Sequence, residues 1–552
     1  MRLIIVGAVA AGTSAAAKAR RNSEEAEIVI YEKDSYISYS GCGMPYYIGG
    51  IVKDAKELTP RDPAFFKSKY NVDIFTWHEV ISILPDEKSV LVKKLDTGET
   101  FTDRYDRLIF ATGATAFVPP IKDVEQPHVF TLRSIGDMNR IEAFMAARSP
   151  KAAAIVGTGF IGLELCEELT KLGLSVTLIE KLAQVTPGLD ADMAVHVQDY
   201  LEQKGVSVLT GIDIQEITAT TLVVAGKDPI PADMVLVVTG VRPNTALARQ
   251  AGVALGASGA ILVNDRMQTS MKDIFACGDC IEQTHLVTGR PVYRPLGSTA
   301  NKTGRIAGDC VTGGALTFRG ILGTGIFRLF ELTVAQTGLT EQEALKAGYE
   351  TVVCHNIKPD KPEYMGGREM VIKAVADKRS GRLLGAQIVG YEGVDKRIDV
   401  FATAITFGAK AEDLFHLDLA YAPPFSTTKD PVMYTGMILD NAIHKNRPLM
   451  TAQELDNLMA SGEDFQLIDT RVAPQYAKGH IEAAQNLPHA HLREAAEKLD
   501  KDTVTVTYCN KGVTGNAAQN ILLNKGFKKV YNLSGGYKQF MKAQPEKRNK
   551  DH

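Results

Sequence analysis

Apolar and polar positions change period along this chain, and the changes mark its elements. Leu3-Ile4-Ile5-Val6 is an unbroken apolar run of the kind that a buried parallel strand requires. An alanine-rich helix is expected from about Thr13 to Arg21, then a second strand from Glu27 to Tyr31. The pattern recurs at Ala152-Ala153-Ala154-Ile155-Val156. There Ile161, Leu165, Leu169 and Leu172 follow at helical spacing, and Ser175 to Ile179 reads as the next strand. It restarts once more after Thr451. Leu455, Leu458 and Met459 mark an amphipathic helix, Phe465 to Ile468 a strand, Thr503 to Tyr508 an alternating strand, and Ala518, Ile521 and Leu522 an apolar helix face. Residues 441–449, with Lys445-Asn446-Arg447-Pro448, read as a linker before this last segment.

The residues between the first two strand pairs give the elements a chemistry. Gly7-Ala8-Val9-Ala10-Ala11-Gly12 joins strand to helix, and the following strand ends at Glu32, 20 residues after Gly12. Strand, glycine loop, helix, strand and acid form a dinucleotide site, in which the acid binds a ribose hydroxyl. Val9 replaces the middle glycine, so this copy is a variant. The second copy is complete: Gly157, Gly159 and Gly162 form the full G-x-G-x-x-G, and the next strand ends at Glu180. Glu180 favours the free 2′-hydroxyl of NADH, while the adjacent Lys181 leaves NADPH open. Two such folds in one chain point to one bound flavin, FAD, and one transient nicotinamide, NADH or NADPH.

Ser40-Gly41-Cys42-Gly43-Met44-Pro45 lies just downstream of the first site. Gly41 and Gly43 remove side-chain bulk on both sides of the sulfur. Pro45 fits the first turn of a helix, and a thiol at a helix N-terminus is expected to have a lowered pKa. The next cysteine is Cys166, so a redox partner for Cys42 must come from another molecule.

Length and composition restrict the setting. At 552 residues the chain needs three to four cores. A net charge of −3 argues against nucleic acid or an anionic membrane as a partner. Seven cysteines do not make a disulfide framework, and a reducing, cytoplasmic compartment fits them better. No run of about 18 apolar residues spans a membrane. Met1-Arg2 and the apolar residues after it look superficially like a signal peptide, but Glu32 and the glycine loop explain them better. Cys277-Gly278-Asp279-Cys280 is formally C-x-x-C, yet no second pair has metal spacing, so no metal site is expected and Cys277 and Cys280 are assigned to packing.

Near the C-terminus, the alternating strand delivers Cys509 to the loop Cys509-Asn510-Lys511-Gly512-Val513-Thr514-Gly515, which opens onto a helix. Backbone N–H groups and Lys511 make such a loop an anion cradle, able to hold a persulfide or sulfite. A phosphatase of related design needs an arginine six positions after the cysteine. Gly515 stands there, which argues against phosphoryl chemistry. With Asp469-Thr470-Arg471 and Leu533-Ser534-Gly535-Gly536-Tyr537, this segment resembles a single rhodanese domain.

Further segments carry a wider resemblance. Leu108 to Gly113 looks like the strand and turn leaving a flavin domain, with Thr112 and Gly113 at the cofactor. Val238 to Asn244, with Gly240, looks like the turn leaving a nicotinamide domain. Ile274 to Asp279 is similar to the second flavin motif, in which Gly278 approaches the cofactor and Asp279 binds the ribityl chain. The first 320 residues or so resemble the flavoprotein pyridine nucleotide-disulfide oxidoreductases. The lone Cys42 and Tyr421-Ala422-Pro423-Pro424-Phe425-Ser426 resemble the coenzyme A-disulfide and persulfide reductase branch.

That resemblance implies an α/β chain with two Rossmann-like dinucleotide-binding domains, an α+β dimerisation domain and a C-terminal α/β rhodanese-like domain. The expected boundaries are 1–118 with 241–320 for FAD, 119–240 for NAD(P)H, 321–441 for dimerisation, 442–449 for the linker and 450–545 for the rhodanese-like domain. It implies a homodimer in which Tyr364 and Tyr421 reach the partner's Cys42 as proton donors. It places Ser14, Lys18, Arg21, Ser38, Lys69, Asn301 and Lys429 at coenzyme A, whose phosphates suit the cations. The expected reaction is NAD(P)H-dependent reduction of coenzyme A disulfide, coenzyme A persulfide or polysulfide at Cys42, with sulfane sulfur delivered through Cys509. An NADH oxidase or peroxidase cycling through Cys42 sulfenic acid is the alternative enzyme. A redox sensor or sulfur carrier without turnover is the non-enzymatic one.

Overall fold

Leu3, Ile4 and Ile5 are wholly buried because their strand is sandwiched on both sides. The computed structural model describes residues 1–544 and divides into two compact units, one formed by Met1–Ala183 with Val206–Gly323, the other by Gln184–Gly205 with the chain from Thr324 onward. In the first unit, Arg2–Val6 is the centre of a parallel sheet with the order Ile274–Ala276, Arg107–Phe110, Arg2–Val6, Glu27–Tyr31, Asp73–Phe75. Ile5 pairs with Ile30 on one side and Ile109 on the other, which accounts for the unbroken apolar run. Helix Ala10–Asn22 covers this sheet and packs on helix Gly297–Val311. The alanines of the first helix meet Gly304 and Gly308 of the second, where an added β-carbon would strike the carbonyls of Ala11 and Ala15.

A second parallel sheet repeats the plan in the order Ser207–Leu209, Ser175–Ile179, Ala152–Val156, Met234–Val237, Val129–Phe130. Helix Phe160–Lys171 follows its central strand. Most strands match the sequence reading to within a residue. The first helix is longer than expected because it begins at Ala10, directly after the loop.

The second unit holds an antiparallel five-stranded sheet, in the order Gly325–Leu329, Leu332–Gly338, Leu383–Gly390, Glu369–Asp377, Thr351–Pro359. Helices Val394–Thr406 and Pro431–His444 pack against it. A parallel sheet follows, in the order Leu449–Met450, Val530–Leu533, Val504–Tyr508, Phe465–Asp469, Gln485–Asn486. Between them, Pro448 is tied down by the amide of Asn532 at 3.1 Å and the side chain of Gln519 at 2.8 Å. Helix Ala191–Gln203, which the sequence reading assigns to the nicotinamide domain, clusters with this second unit. Among the described residues, no helix is long and apolar enough to cross a membrane.

Candidate active site

Three loops meet at the C-terminal ends of adjacent parallel strands in the first unit, where α/β sheets bind ligands. They are Gly7–Gly12 after Arg2–Val6, Thr112-Gly113 after Arg107–Phe110, and Gly278-Asp279 after Ile274–Ala276. Gly7 has φ +108° and lies against Ala111, so only glycine turns there. Gly12 sits too close to the carbonyl of Gly7 for a side chain. Val9, at the variant position, has an ordinary φ of −91°. Glu32 is buried and accepts the amides of Ala8 at 2.7 Å and Asp34 at 3.0 Å, and burial pushes its carboxyl up. Thr112 and Asn244 bond each other, Thr112 Oγ1 donating to the Asn244 carbonyl at 2.7 Å and Asn244 Nδ2 donating back at 2.9 Å. Gly278, with φ +81°, donates to Thr303 at 3.0 Å. Asp279 pairs with Arg133 at 2.7 Å, a partner that local sequence did not reveal. Loop, acid and close-approach glycines together fit FAD.

The second sheet carries the same device. Gly157 has φ +106° and crowds Val238, and Gly162 crowds the Gly157 carbonyl. Gly159 differs: it is exposed, and a β-carbon there would meet nothing within 4 Å. Gly240 also faces open space. Glu180 accepts the amide of Thr158 at 3.1 Å, its hydroxyl at 2.8 Å, and the amide of Leu182 at 3.0 Å. These residues fit a nicotinamide dinucleotide, whose phosphates a glycine loop at a helix N-terminus would hold.

Cys42 is exposed, whereas Cys166, Cys277, Cys280, Cys310, Cys354 and Cys509 are buried, and all seven are unpaired. It lies in a single turn, Gly41–Gly43, that leads into helix Met44–Ile48. Gly41 leaves the sulfur open, its nearest neighbours being 3.9 and 4.0 Å from an added β-carbon. Gly43 is small for another reason, since it packs on Leu58. The expected fall in thiol pKa does not occur. Surrounding protein pushes the thiol up, Glu164 and Asp279 add to the rise, and Arg133 opposes it. The local amides are already engaged, Gly43 with the Ser40 carbonyl at 3.2 Å and Met44 with that of Gly41, and the helix is only five residues long. The charges of Asp279, the flavin-motif acid, and of Glu164, on helix Phe160–Lys171, are thus felt at the Cys42 thiol. Sequence reasoning missed Arg133 and Glu164, which no motif marks.

The residues expected at coenzyme A fall into groups. Ser14 donates to Asn301 at 2.7 Å, joining helices Ala10–Asn22 and Gly297–Val311. Lys18, on the next turn, pairs with Asp309 at 3.0 Å. Arg21 and Lys69 both lie over the ring of Tyr70, at 5.6 Å each. Ser38, with φ +48°, donates its amide to the carbonyl of Ala8 at 2.9 Å. In the second unit, Lys429 is exposed 5.9 Å from the Tyr434 ring, and Tyr364 and Tyr421 are 76% and 47% exposed.

Cys509 lies at the foot of a cavity of about 400 Å³, lined also by Thr470, Arg471, His489, Asn510 and Lys511. Gly512, with φ +92°, caps helix Val513–Asn524. Gly536 presses on the loop so closely that a β-carbon would strike the Cys509 carbonyl. At Gly515 a β-carbon would strike Asn532, so an arginine has no room there. Arg471 is held by Asp469 at 2.6 Å and lies 4.2 Å from the Tyr537 ring. Cys277 and Cys280 are fully buried packing residues. Among the described residues, Glu412, Asp440 and His444 bring ligand atoms within 4.8 Å of one another, but Lys445 already pairs with Asp440 at 2.7 Å.

Comparison with known proteins agrees with this geometry. Residues 1–295 match the pyridine nucleotide-disulphide oxidoreductase family, residues 326–431 its dimerisation domain, and residues 451–543 the rhodanese-like domain. An NAD(P)H sulfur oxidoreductase (CoA-dependent) from Pyrococcus furiosus is 35% identical over 448 residues, 79% of this chain and 99% of its own length. An NADH oxidase from Methanocaldococcus jannaschii is 37% identical over 445 residues, 78% of this chain and 97% of its own. The crystal structure of reduced Bacillus anthracis CoADR-RHD superposes with a TM-score of 0.96 at 36% identity, covering 99% of this chain and 98% of that one. With two dinucleotide sites, an exposed thiol and these matches, the chain belongs to the pyridine nucleotide-disulphide oxidoreductases, NAD(P)H-dependent flavoenzymes, and carries their dimerisation domain and a rhodanese-like domain.

Proposed function

We propose that the protein reduces coenzyme A disulfide, coenzyme A persulfide or polysulfide at Cys42, with sulfane sulfur supplied through Cys509. One observation carries this reading: Cys42 is exposed where the other six cysteines are buried, and it lies in a tight turn between two glycines that leads into a helix. The Cys42 thiolate attacks a sulfur of the substrate, an S–S bond forms to Cys42, and the displaced thiolate leaves. Tyr364 of the partner subunit and Tyr421 of the partner subunit supply its proton. When bound, FAD would supply the two-electron path from NAD(P)H to the Cys42–sulfur bond; reductive cleavage of that bond regenerates the Cys42 thiolate and releases thiol or hydrogen sulfide. Gly7, Val9, Gly12, Glu32, Thr112, Gly113, Gly278 and Asp279 hold the flavin. Gly157, Gly159, Gly162, Glu180 and Gly240 hold the nicotinamide dinucleotide.

Ser14, Lys18, Arg21, Ser38, Lys69, Asn301 and Lys429 bind coenzyme A, and the common proximity of Arg21 and Lys69 to the Tyr70 ring supports grouping those two cations. A homodimer is supported by the dimerisation domain and by the exposed Tyr364, Tyr421 and Phe425. Seven unpaired cysteines suit a cytoplasmic setting. No nucleic acid or membrane enters this reading.

The test is steady-state NADH oxidation with coenzyme A persulfide. Cys42→Ser is expected to abolish it, and full activity in that variant overturns the reading. The likeness to an NADH oxidase supports a second reading, in which Cys42 cycles through sulfenic acid. NADH consumption with oxygen alone, compared with added polysulfide, separates the two.

A further inference from the structure

The loop that carries Cys509 does not stand alone in the second unit. Lys511, two residues after the cysteine, pairs with Glu369, a residue of the antiparallel sheet outside the rhodanese-like domain. Lys538, on the last helix, pairs with the other oxygen of the same carboxylate at 2.7 Å. Glu369 thus bridges two lysines that flank the sulfur loop. It lies at the end of its strand opposite Pro359, and Lys358 precedes that proline on the paired strand. The Lys358 ammonium stands 4.0 Å from the centre of the Tyr434 ring, with Lys429 5.9 Å from the same ring.

We propose that the dimerisation domain sets the charge presented at the sulfur site, Glu369 restraining one lysine there. Glu369 is the positioning residue that holds Lys511 at the edge of the Cys509 cavity, and Lys358 is a second cation that draws an anionic sulfur donor towards it. This rests on the reading of Cys509 as the sulfur acceptor. The surrounding charges agree with it. Burial, then Lys511 and Lys429, push Lys358 down, and Cys509 opposes them, so the four groups share one field. Burial favours protonated Glu369, yet Lys511 and Lys538 together hold it below the usual carboxylate range. The ligand class is a small divalent sulfur oxyanion or the phosphate-bearing end of a thiol carrier. Both are anions that a cation pair recognises without a fixed geometry.

Thiosulfate is the probe, with the full-length protein. The Cys509 thiolate attacks the outer sulfur, the S–S bond to the sulfonate breaks, and sulfite leaves with the electron pair, giving a persulfide anion on Cys509. Cyanide then takes the terminal sulfur as thiocyanate. Lys358→Ala is expected to raise the KM for thiosulfate about threefold or more with little change in kcat, and to flatten its dependence on ionic strength, while Lys358→Arg restores both. Glu369→Gln releases Lys511 into the cavity and is expected to lower that KM about threefold, with Glu369→Asp close to the parent. A purely structural role would lower kcat and the thermal midpoint and leave the salt dependence alone. Unaltered KM and salt dependence in both variants overturn the inference while leaving the sulfur-acceptor reading intact. Should Lys358→Ala not fold, the salt dependence of KM in the parent and in Lys358→Gln decides it. A parent protein that releases no sulfite overturns both readings.

Discussion

Tyr46 donates a hydrogen bond to Glu164 at 3.1 Å, joining the cysteine helix to the helix that opens the second glycine loop. Burial lifts Glu164 to about 7, with Glu167 and Glu168 adding to the rise and Tyr46 opposing it. Above pH 7, ionised Glu164 therefore disfavours the thiolate of Cys42. Glu164→Gln should lower the apparent pKa of Cys42 by about one unit. Below pH 7 the variant and parent should converge, because Glu164 is then protonated in the parent. The pH profile of iodoacetamide alkylation reads this out, since the other six cysteines are buried. Superimposed profiles between pH 7 and pH 9 would refute the coupling.

The two outer glycines of the second loop differ from the middle one. At Gly162 a β-carbon strikes the Gly157 carbonyl, whereas at Gly159 it meets only solvent. Gly159 also has φ −73°, which any residue adopts. Gly159→Ala should leave stability within about 0.5 kcal/mol and raise the KM for NADH about fivefold or more, because its methyl would intrude on the open space where the proposed site would take a pyrophosphate. Gly162→Ala should cost about 2 kcal/mol by forcing the helix off the strand. Thermal unfolding and NADH titration together distinguish the two effects. Equal Tm losses in both variants would remove the distinction.

What could be read from the sequence was local. Both βαβ units declare themselves because glycines, strand and acid lie within about 30 residues, and each requirement is a backbone requirement that few residue types meet. Cys42 was identifiable by its isolation and its glycines. Its electrostatics were not, since Glu164, Arg133 and Asp279 lie 91 to 237 positions away and carry no motif of their own. The dipole argument for a low thiol pKa failed because it assumed free amides, and the turn uses them internally. Glu369 reaches Lys511 across 142 positions, a pairing set by how two domains pack rather than by spacing. Helix Ala191–Gln203 looked like part of the nicotinamide domain because it follows that domain's strand. Its side chains Asp192, His196 and Asp199 instead bond residues of the second unit.

His196 gives that packing a pH dependence. Its ring accepts or donates one bond, to Gln539 at 3.0 Å, and burial pushes it down to about 4, with Lys542 and His355 adding to the fall and Asp199 opposing it. The folded protein thus excludes a proton that the unfolded chain binds below about 6.5. The stabilisation is fully present above pH 6.5 and is lost as pH falls towards 4. About 2 kcal/mol should disappear between pH 7.5 and pH 5. His196→Gln should flatten the loss. The comparison is Tm at pH 7.5 and pH 5 for both proteins, and an identical decline in each would assign the acid sensitivity elsewhere.

Beside the Cys509 cavity, Arg471 and Asp469 form a buried pair. Arg471 Nε donates to both carboxylate oxygens at 3.0 Å, its NH2 group donates to one of them at 2.6 Å, and Asp469 has no exposed surface. The guanidinium also reaches the Gly479 carbonyl at 2.8 Å, so it ties the loop after strand Phe465–Asp469 to the segment before Ile481. Removing one partner leaves a charge buried without compensation, which costs more than losing the pair. Asp469→Asn should therefore destabilise the rhodanese-like domain by about 3 kcal/mol, and Asp469→Asn with Arg471→Met should recover part of that. Because the pair lies wholly in the second unit, bleaching of the flavin by NADH should persist in the single variant while sulfite release from thiosulfate falls. Limited proteolysis, followed by the amount of the 451–543 fragment that survives, measures the domain directly. A single variant as resistant as the parent would mean that the pair is dispensable and that the Tyr537 ring, 4.2 Å from the guanidinium, suffices to hold Arg471 in place.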